Sequence, residues 1–341
     1  MRWGLAVLLC LGSASVLAGE VLRVLSWEGY ADPDVVEAFA RRHGVEVQVT
    51  VVDSDTVLWQ KLSAEGEASY DVLAANTAEI ARYRAAGLLR TIDPASVPNI
   101  GRQAAQFRDA RKVADIFEGG QRYAVPYTYA DMGLIYDRKV FAKPPQSISV
   151  LWDPAYRGRV LAYDGGTHNF SLAALKVGLP SPFLISSAQW KPLSSELIAL
   201  RRNVLGFYTQ LDDSLRQYRD QKAVLMFANY GSQQFNLLRN AGLDVGYVIP
   251  DEGALAWLDC WAIPRASKKP LLAAKWIDYM LEPQVSGLLM SRHGLSSTLK
   301  EAQSSEAAKR LWLQPVEDVD RRELLWGRII AGDRLSRVLA P

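Results

Sequence analysis

The sequence predicts an α/β protein built as two lobes. Three observations carry that expectation: strand and helix signals alternate through the first hundred residues, the alternation resumes after residue 150, and 341 residues suit two units at about 100 to 200 residues per domain. The first element is a strand over Leu22–Ser26, a run of β-formers. Ala31-Asp32-Pro33-Asp34 then opens a helix to Arg42, with proline at a position where a missing N–H costs nothing. Val45–Val52 is the second strand and Ser54–Gly66 the second helix. A short strand at Tyr70–Ala74 precedes a helix from Thr77 to Ala86, stopped by Gly87 as a C-terminal glycine should stop it. This βαβαβ order implies a parallel sheet.

The pattern loosens after Asp93-Pro94 and recovers at Arg122–Tyr129 and Gly133–Tyr136, before Lys143-Pro144-Pro145 interrupts it again. Within a second α/β region, from Val150 to about Val248, strands are expected at Arg159–Tyr163, Val204–Tyr208 and Ala223–Phe227. Beyond it Asp259–Ile263 has strand character, and Pro270–Leu281 is an amphipathic helix bounded by Pro270 and Pro283. No internal repeat or low-complexity tract interrupts the chain.

The first residues predict export. Met1-Arg2 is a short basic segment, Trp3–Leu11 is apolar, and Val16-Leu17-Ala18 places cleavage after Ala18, giving a signal peptide over 1–18 and a periplasmic mature protein. The apolar run is too short to span a bilayer as a helix. A lipoprotein would require acylation at Cys10, but Val7-Leu8-Leu9 lacks the small residue wanted before such a cysteine. With Cys10 removed, only Cys260 of the 2 cysteines remains, so no internal disulfide is available. Lys+Arg 39 against Asp+Glu 37 is near balance, which argues against a nucleic-acid partner. A monomer with no cofactor is expected.

Candidate chemistry concentrates at two aromatic-acid clusters. Trp257 and Asp259 are two residues apart on an extended segment, so both project from one face. An indole beside a carboxylate is half a cage for an organic cation. The plainer reading of such a pair is a packed ring and a solvated acid. Trp27-Glu28-Gly29-Tyr30 puts two more aromatics and an acid at a strand-to-helix turn, where open α/β sheets bind ligands. The plainer reading there is a hydrophobic staple at the helix start. Catalytic constellations are weak: His43, His168 and His293 have no metal-pair spacing, and Ser297-Thr298-Leu299-Lys300 fits S-x-x-K without the companion motifs of a hydrolase. No enzyme is expected.

Five segments in order, Trp27-Glu28-Gly29-Tyr30, Tyr70-Asp71-Val72-Leu73, Tyr123-Ala124-Val125-Pro126-Tyr127, Leu151-Trp152-Asp153-Pro154-Ala155-Tyr156-Arg157-Gly158 and the Trp257/Asp259 run, resemble the periplasmic polyamine-binding proteins that feed spermidine and putrescine to ABC importers. The resemblance spans nearly all of the chain after residue 18. It implies the two-lobed periplasmic binding protein fold of type II, with extended hinge crossings near Ala130 and Asp251. Lobe 1 would comprise 19–129 and 251–300, lobe 2 would comprise 130–250, and 301–341 would be C-terminal helices packing on lobe 2. It also implies that Asp259 fixes a terminal ammonium, with Trp27, Tyr30 and Trp257 flanking the ligand, and that the partner is a membrane permease. A membrane sensor is the alternative partner.

The chain departs from that family at Asn229, where a tryptophan is usual, at Asn76 and Ala78, at Leu295, and around Gly165 and His168, where Asp164 is the one acid left. Glu28 stands in for a serine or threonine, and His168 suits a neutral or anionic group. The expected contacts are therefore Trp27, Glu28, Tyr30, Asn76, Asp164, His168, Asn229, Trp257 and Asp259. On this reading one cationic end is well provided and the other is not. A monoamine, a short diamine, an ω-amino acid or a guanidino compound is expected ahead of spermidine.

Overall fold

The computed structural model describes residues 19–64, 70–300 and 310–340. The expected signal segment 1–18 and the end of the helix expected to reach Gly66 lie outside them. Strands β1 (Val21–Trp27), β2 (Glu46–Val52) and β3 (Val72–Asn76) lie parallel, with Val24 between Val49 and Val72. All five residues of β3 are buried, as a central parallel strand covered on both faces requires. Helix α1 (Pro33–His43) starts on a proline and ends at Gly44 with φ 65°. In α2 (Asp55–Ser63) and α3 (Thr77–Ala85), the Ser54 and Asn76 side chains accept the free backbone N–H groups of the first turn. The third strand begins two residues later than the sequence suggested, which makes Asn76 both its last residue and the cap of α3.

A short helix α4 (Ala105–Arg108) and a hairpin of β4 (Phe117–Glu118) and β5 (Gln121–Arg122) precede β6 (Ala124–Asp131), which rejoins the first sheet. The chain then crosses through Met132-Gly133 into a second sheet. Gly133 is required there, because a Cβ would lie 2.7 Å from the Tyr247 ring. The Tyr247 hydroxyl donates to the Asp131 carbonyl at 2.6 Å and accepts the Gly133 N–H at 3.2 Å, tying the crossing down.

The second sheet holds β7 (Leu134–Asp137), β8 (Val160–Tyr163), β9 (Val204–Tyr208), β10 (Leu225–Phe227) and β11 (Val245–Val248) in the order β11-β7-β10-β8-β9. Helices α5 (Gly166–Lys176), α6 (Trp190–Asn203), α7 (Leu211–Asp220) and α8 (Ser232–Asn240) surround it. The return crossing is held by Glu252, which accepts the Ile148 N–H at 3.1 Å and pairs with Ser147.

Strand β12 (Ala254–Ala262), buried throughout, brings the chain back between β6 and β3. It begins five residues earlier than the expected Asp259–Ile263. Helices α9 (Pro270–Met280) and α10 (Pro283–His293) follow, and β13 (Ser296–Ser297) closes the edge, giving the order β13-β6-β12-β3-β1-β2. Within the span expected to pack wholly on lobe 2, β14 (Arg310–Trp312) instead pairs with the start of β12 in the first sheet. The Arg310 guanidinium pairs with Asp131 and lies 4.9 Å from the Tyr129 ring centre, which offsets its burial.

Beyond β14 the helix Val319–Ile330 returns to the second lobe, packing on α5 and α6, and the short helix Leu335–Val338 follows it onto α6. Arg322 of the longer helix, fully buried, donates to Glu317, Ser171 and the carbonyls of Thr167 and Phe183.

Candidate ligand-binding cleft

A cavity of about 420 Å³ lies between the lobes, where loops follow the carboxyl ends of strands from both sheets. From the first lobe come Trp27 at the end of β1, Asp53 and Asp55 after β2, Asn76 at the end of β3, and Trp257 and Asp259 on β12. The second lobe contributes Tyr163 at the end of β8, His168 on α5, Gln210 and Leu211 before and in α7, Asn229 and Tyr230 after β10, and Gln233 on α8. Period two does place Trp257 and Asp259 on one face, and the strand slips register only beyond them, between Asp259 and Cys260.

Asp259 is 6% exposed, and its Oδ2 accepts the Tyr30 hydroxyl at 2.6 Å. Burial pushes its pKa up to about 7, and the Tyr30 hydrogen bond pulls it back. Burial likewise raises the Tyr30 phenol, with the Asp259 charge adding to it, so this hydroxyl is a fixed donor. Its ring meets Tyr127 edge-on at 5.4 Å. The turn that carries Tyr30 depends on Gly29, at φ 79° and pressed against His293.

Both cleft indoles are oriented by their N–H groups. Trp27 donates to the Ala74 carbonyl at 3.1 Å, and Trp257 donates to the Asn229 carbonyl at 3.0 Å. The second bond links the two lobes directly.

Asp55 was not anticipated from the sequence. Its Oδ1 accepts from the Asn76 Nδ2 at 3.1 Å, while the Asn76 Oδ1 caps α3 by accepting the Glu79 N–H at 3.1 Å. Burial raises the Asp55 pKa well above the usual carboxylate range, with the charges of Glu79 and Asp259 pushing the same way. A serine and an aspartate at a helix start satisfy ordinary capping and first-turn preferences, which masks a binding role. The available signal was position: the end of a parallel strand, like the Trp27 turn.

Glu28 and Asp53 are exposed at the cavity edge. Partial burial raises the Glu28 pKa, Asp212 adds to it, and His293 opposes it. On the second lobe, burial lowers the His168 pKa to about 4, Asn229 opposes this and Arg322 adds to it. His168 is therefore neutral near pH 7.

Asp164 does not line the cavity. The Trp326 indole N–H, from the C-terminal helix, donates to it at 2.8 Å. From the same helix Glu323 accepts the backbone N–H groups of Gly166 and Thr167 at 3.1 and 2.8 Å, so the start of α5 is already capped by a carboxylate. Leu295 is buried away from the cavity. Among the described residues, no lysine or arginine lines the cavity, and no group of three His, Cys, Asp or Glu is arranged to hold a metal ion.

Two α/β lobes joined by extended crossings, with one cavity walled by both, define a two-lobed binding protein of the type II periplasmic fold. A profile described as bacterial extracellular solute-binding protein matches residues 34–315, and the chain belongs to that family. It is 26% identical over 281 residues to the spermidine/putrescine-binding periplasmic protein of Escherichia coli K12, covering 82% of this chain and 78% of that one. It is 25% identical over 302 residues to a putrescine/cadaverine-binding protein of Pseudomonas aeruginosa, covering 85% and 82%. Among solved structures, a putative spermidine/putrescine ABC transporter protein from Listeria monocytogenes superposes with TM-score 0.80 at 20% identity, over 92% of this chain and 98% of that one.

Proposed function

We propose that this protein is the extracytoplasmic solute-binding component of an ABC importer, and that it captures a small organic polycation between its lobes and delivers it to a membrane permease. The observation that carries this reading is the charge of the cavity wall. Glu28, Asp53, Asp55 and Asp259 are all carboxylates, His168 is neutral, and among the described residues no lysine or arginine lines the cavity to receive an anionic group. Trp27, Tyr30 and Trp257 supply aromatic surface for a methylene chain and for cation–π attraction. The names of the relatives, which bind spermidine, putrescine or cadaverine, agree with that chemistry.

The added acids change the expected specificity. A second positive group meets Glu28 and Asp53 at the cavity mouth, so a diamine or triamine is favoured over a monoamine. An ω-amino acid would bury its carboxylate among like charges. Binding, rather than turnover, is the activity we assign; Ser297 of the S-x-x-K pattern lies outside the cavity, its Oγ 3.3 Å from the Ser286 Oγ.

Native mass spectrometry of protein purified without refolding, followed by calorimetric titration of ligand-free protein with putrescine, spermidine, agmatine and 4-aminobutyrate, tests this. We expect amines to bind and 4-aminobutyrate not to. Binding of 4-aminobutyrate with no response to any of the three amines would reject the polycation reading.

A further inference from the structure

We propose that Asp55, with Asn76 and Asp259, forms a two-carboxylate receptor for a guanidinium group, so that the preferred ligand carries a guanidinium at this end and an amine at the other. The inference rests on the polycation reading and narrows it. Asn76 and Asp259 face each other as cross-strand partners on β3 and β12, a spacing of about 4.5 to 5.5 Å between Cα atoms. Asp55 is attached to the same Asn76 by its Oδ1. The two carboxylates therefore flank one amide side chain on one wall of the cavity.

Neither acid has a cationic partner among the described residues, and each keeps an oxygen for a ligand. Asp259 uses Oδ2 for Tyr30, and Asp55 uses Oδ1 for Asn76. The amide between them cannot turn to complicate the wall, because capping α3 fixes its oxygen away from Asp55. Opposite them Asn229, 6% exposed and lining the same cavity, has its side chain against His168.

Two carboxylates on either side of one amide match a planar group with five N–H donors in a rigid fork. An ammonium is a point charge with three donors. It satisfies Asp259 or Asp55 well but has no separate edges with which to hold both. A guanidinium bridges both carboxylates with separate edges and leaves its flat face for stacking on an indole.

The test is calorimetry of wild type, Asp55→Asn and Asp259→Asn with agmatine and putrescine, which have the same four-carbon spacer and differ in one head group. Wild type is expected to bind agmatine at least tenfold more tightly. Asp55→Asn, which keeps the side-chain volume, should lower agmatine affinity at least tenfold and putrescine affinity less than threefold. Asp259→Asn should weaken both. A melting curve for each variant establishes that it folds, and the wild-type ranking stands without either variant. Putrescine binding as tightly as agmatine, or Asp55→Asn weakening both equally, overturns the guanidinium receptor and leaves the polycation reading intact. Failure of agmatine, putrescine and spermidine alike to bind overturns both.

Discussion

Asp259→Asn should weaken ligand binding and at the same time stabilise the empty protein at neutral and alkaline pH. In the folded, ligand-free protein, burial moves the Asp259 pKa from 3.8 to about 7. At about 1.4 kcal/mol per pH unit separating the folded and unfolded values, ionised Asp259 costs the empty fold roughly 4 kcal/mol. The sign follows from the protons held. Between those two values the folded state keeps a proton that the unfolded state has released, so stability is full below about pH 4 and declines until about pH 7. Asparagine cannot ionise, and its Oδ1 still accepts the Tyr30 hydroxyl. At pH 8 the variant should therefore unfold on the order of 5 to 10 °C above wild type, with the gap closing toward pH 4. The assay is thermal unfolding across that range on protein stripped of ligand by unfolding and refolding. A variant less stable than wild type at pH 8, or a gap that does not change with pH, would refute the assignment of Asp259 as a buried, uncompensated counter-ion.

Two further outcomes follow from the same cleft. Trp257→Phe keeps an aromatic face but removes the N–H that reaches the Asn229 carbonyl across the lobes, so amine affinity should fall by about 1 kcal/mol. Trp257→Leu should lose a further 0.5 to 2 kcal/mol or so with the ring, and calorimetry showing both variants equal to wild type would deny Trp257 either role. Amine binding should also release protons near pH 6.5 and weaken as pH falls below 7. An arriving cation lowers the Asp259 pKa from about 7, which titration in buffers of different ionisation enthalpy measures directly.

The sequence disclosed the parts of this protein whose causes are local. The β1–α1–β2–α2–β3–α3 run was legible because β3 is a short apolar segment, β1 and β2 are rich in β-branched residues, and Pro33, Ser54 and Gly87 punctuate the helices. Trp257 and Asp259 were legible because strand period two needs no knowledge of the partner strand. Asp164 was misjudged for the opposite reason. Its partner Trp326 is 162 residues away on a helix whose docking only tertiary packing decides. Asp55 was overlooked because its local role, an acid in the first turn of a helix, is a sufficient explanation by itself until Asn76 and Asp259 are seen beside it. The crossing at β14 was likewise invisible: three residues, Arg310–Trp312, join the first sheet only because β12 extends back to Ala254 to receive them.

The distribution of charge across the cleft bears on how binding is coupled to closure. All four acids, Glu28, Asp53, Asp55 and Asp259, belong to the first lobe, whereas His168, Gln210, Asn229 and Gln233 of the second are uncharged near pH 7. Docking of the second lobe onto an empty first lobe removes water from like charges and returns nothing to them, as the raised pKa values of Asp55 and Asp259 record. A bound cation reverses that balance, since the same loss of water then strengthens its attraction to the acids. Apart from Asp212, whose charge reaches Glu28 at the edge, the cavity-lining side chains of the second lobe need not recognise the charge at all. They contribute hydrogen bonds and apolar cover, and the Trp257–Asn229 bond fastens the two walls once they meet. If the lobes move, closure would thus be favoured once the first lobe is neutralised, and a ligand with differential affinity for the closed state would shift the population toward it.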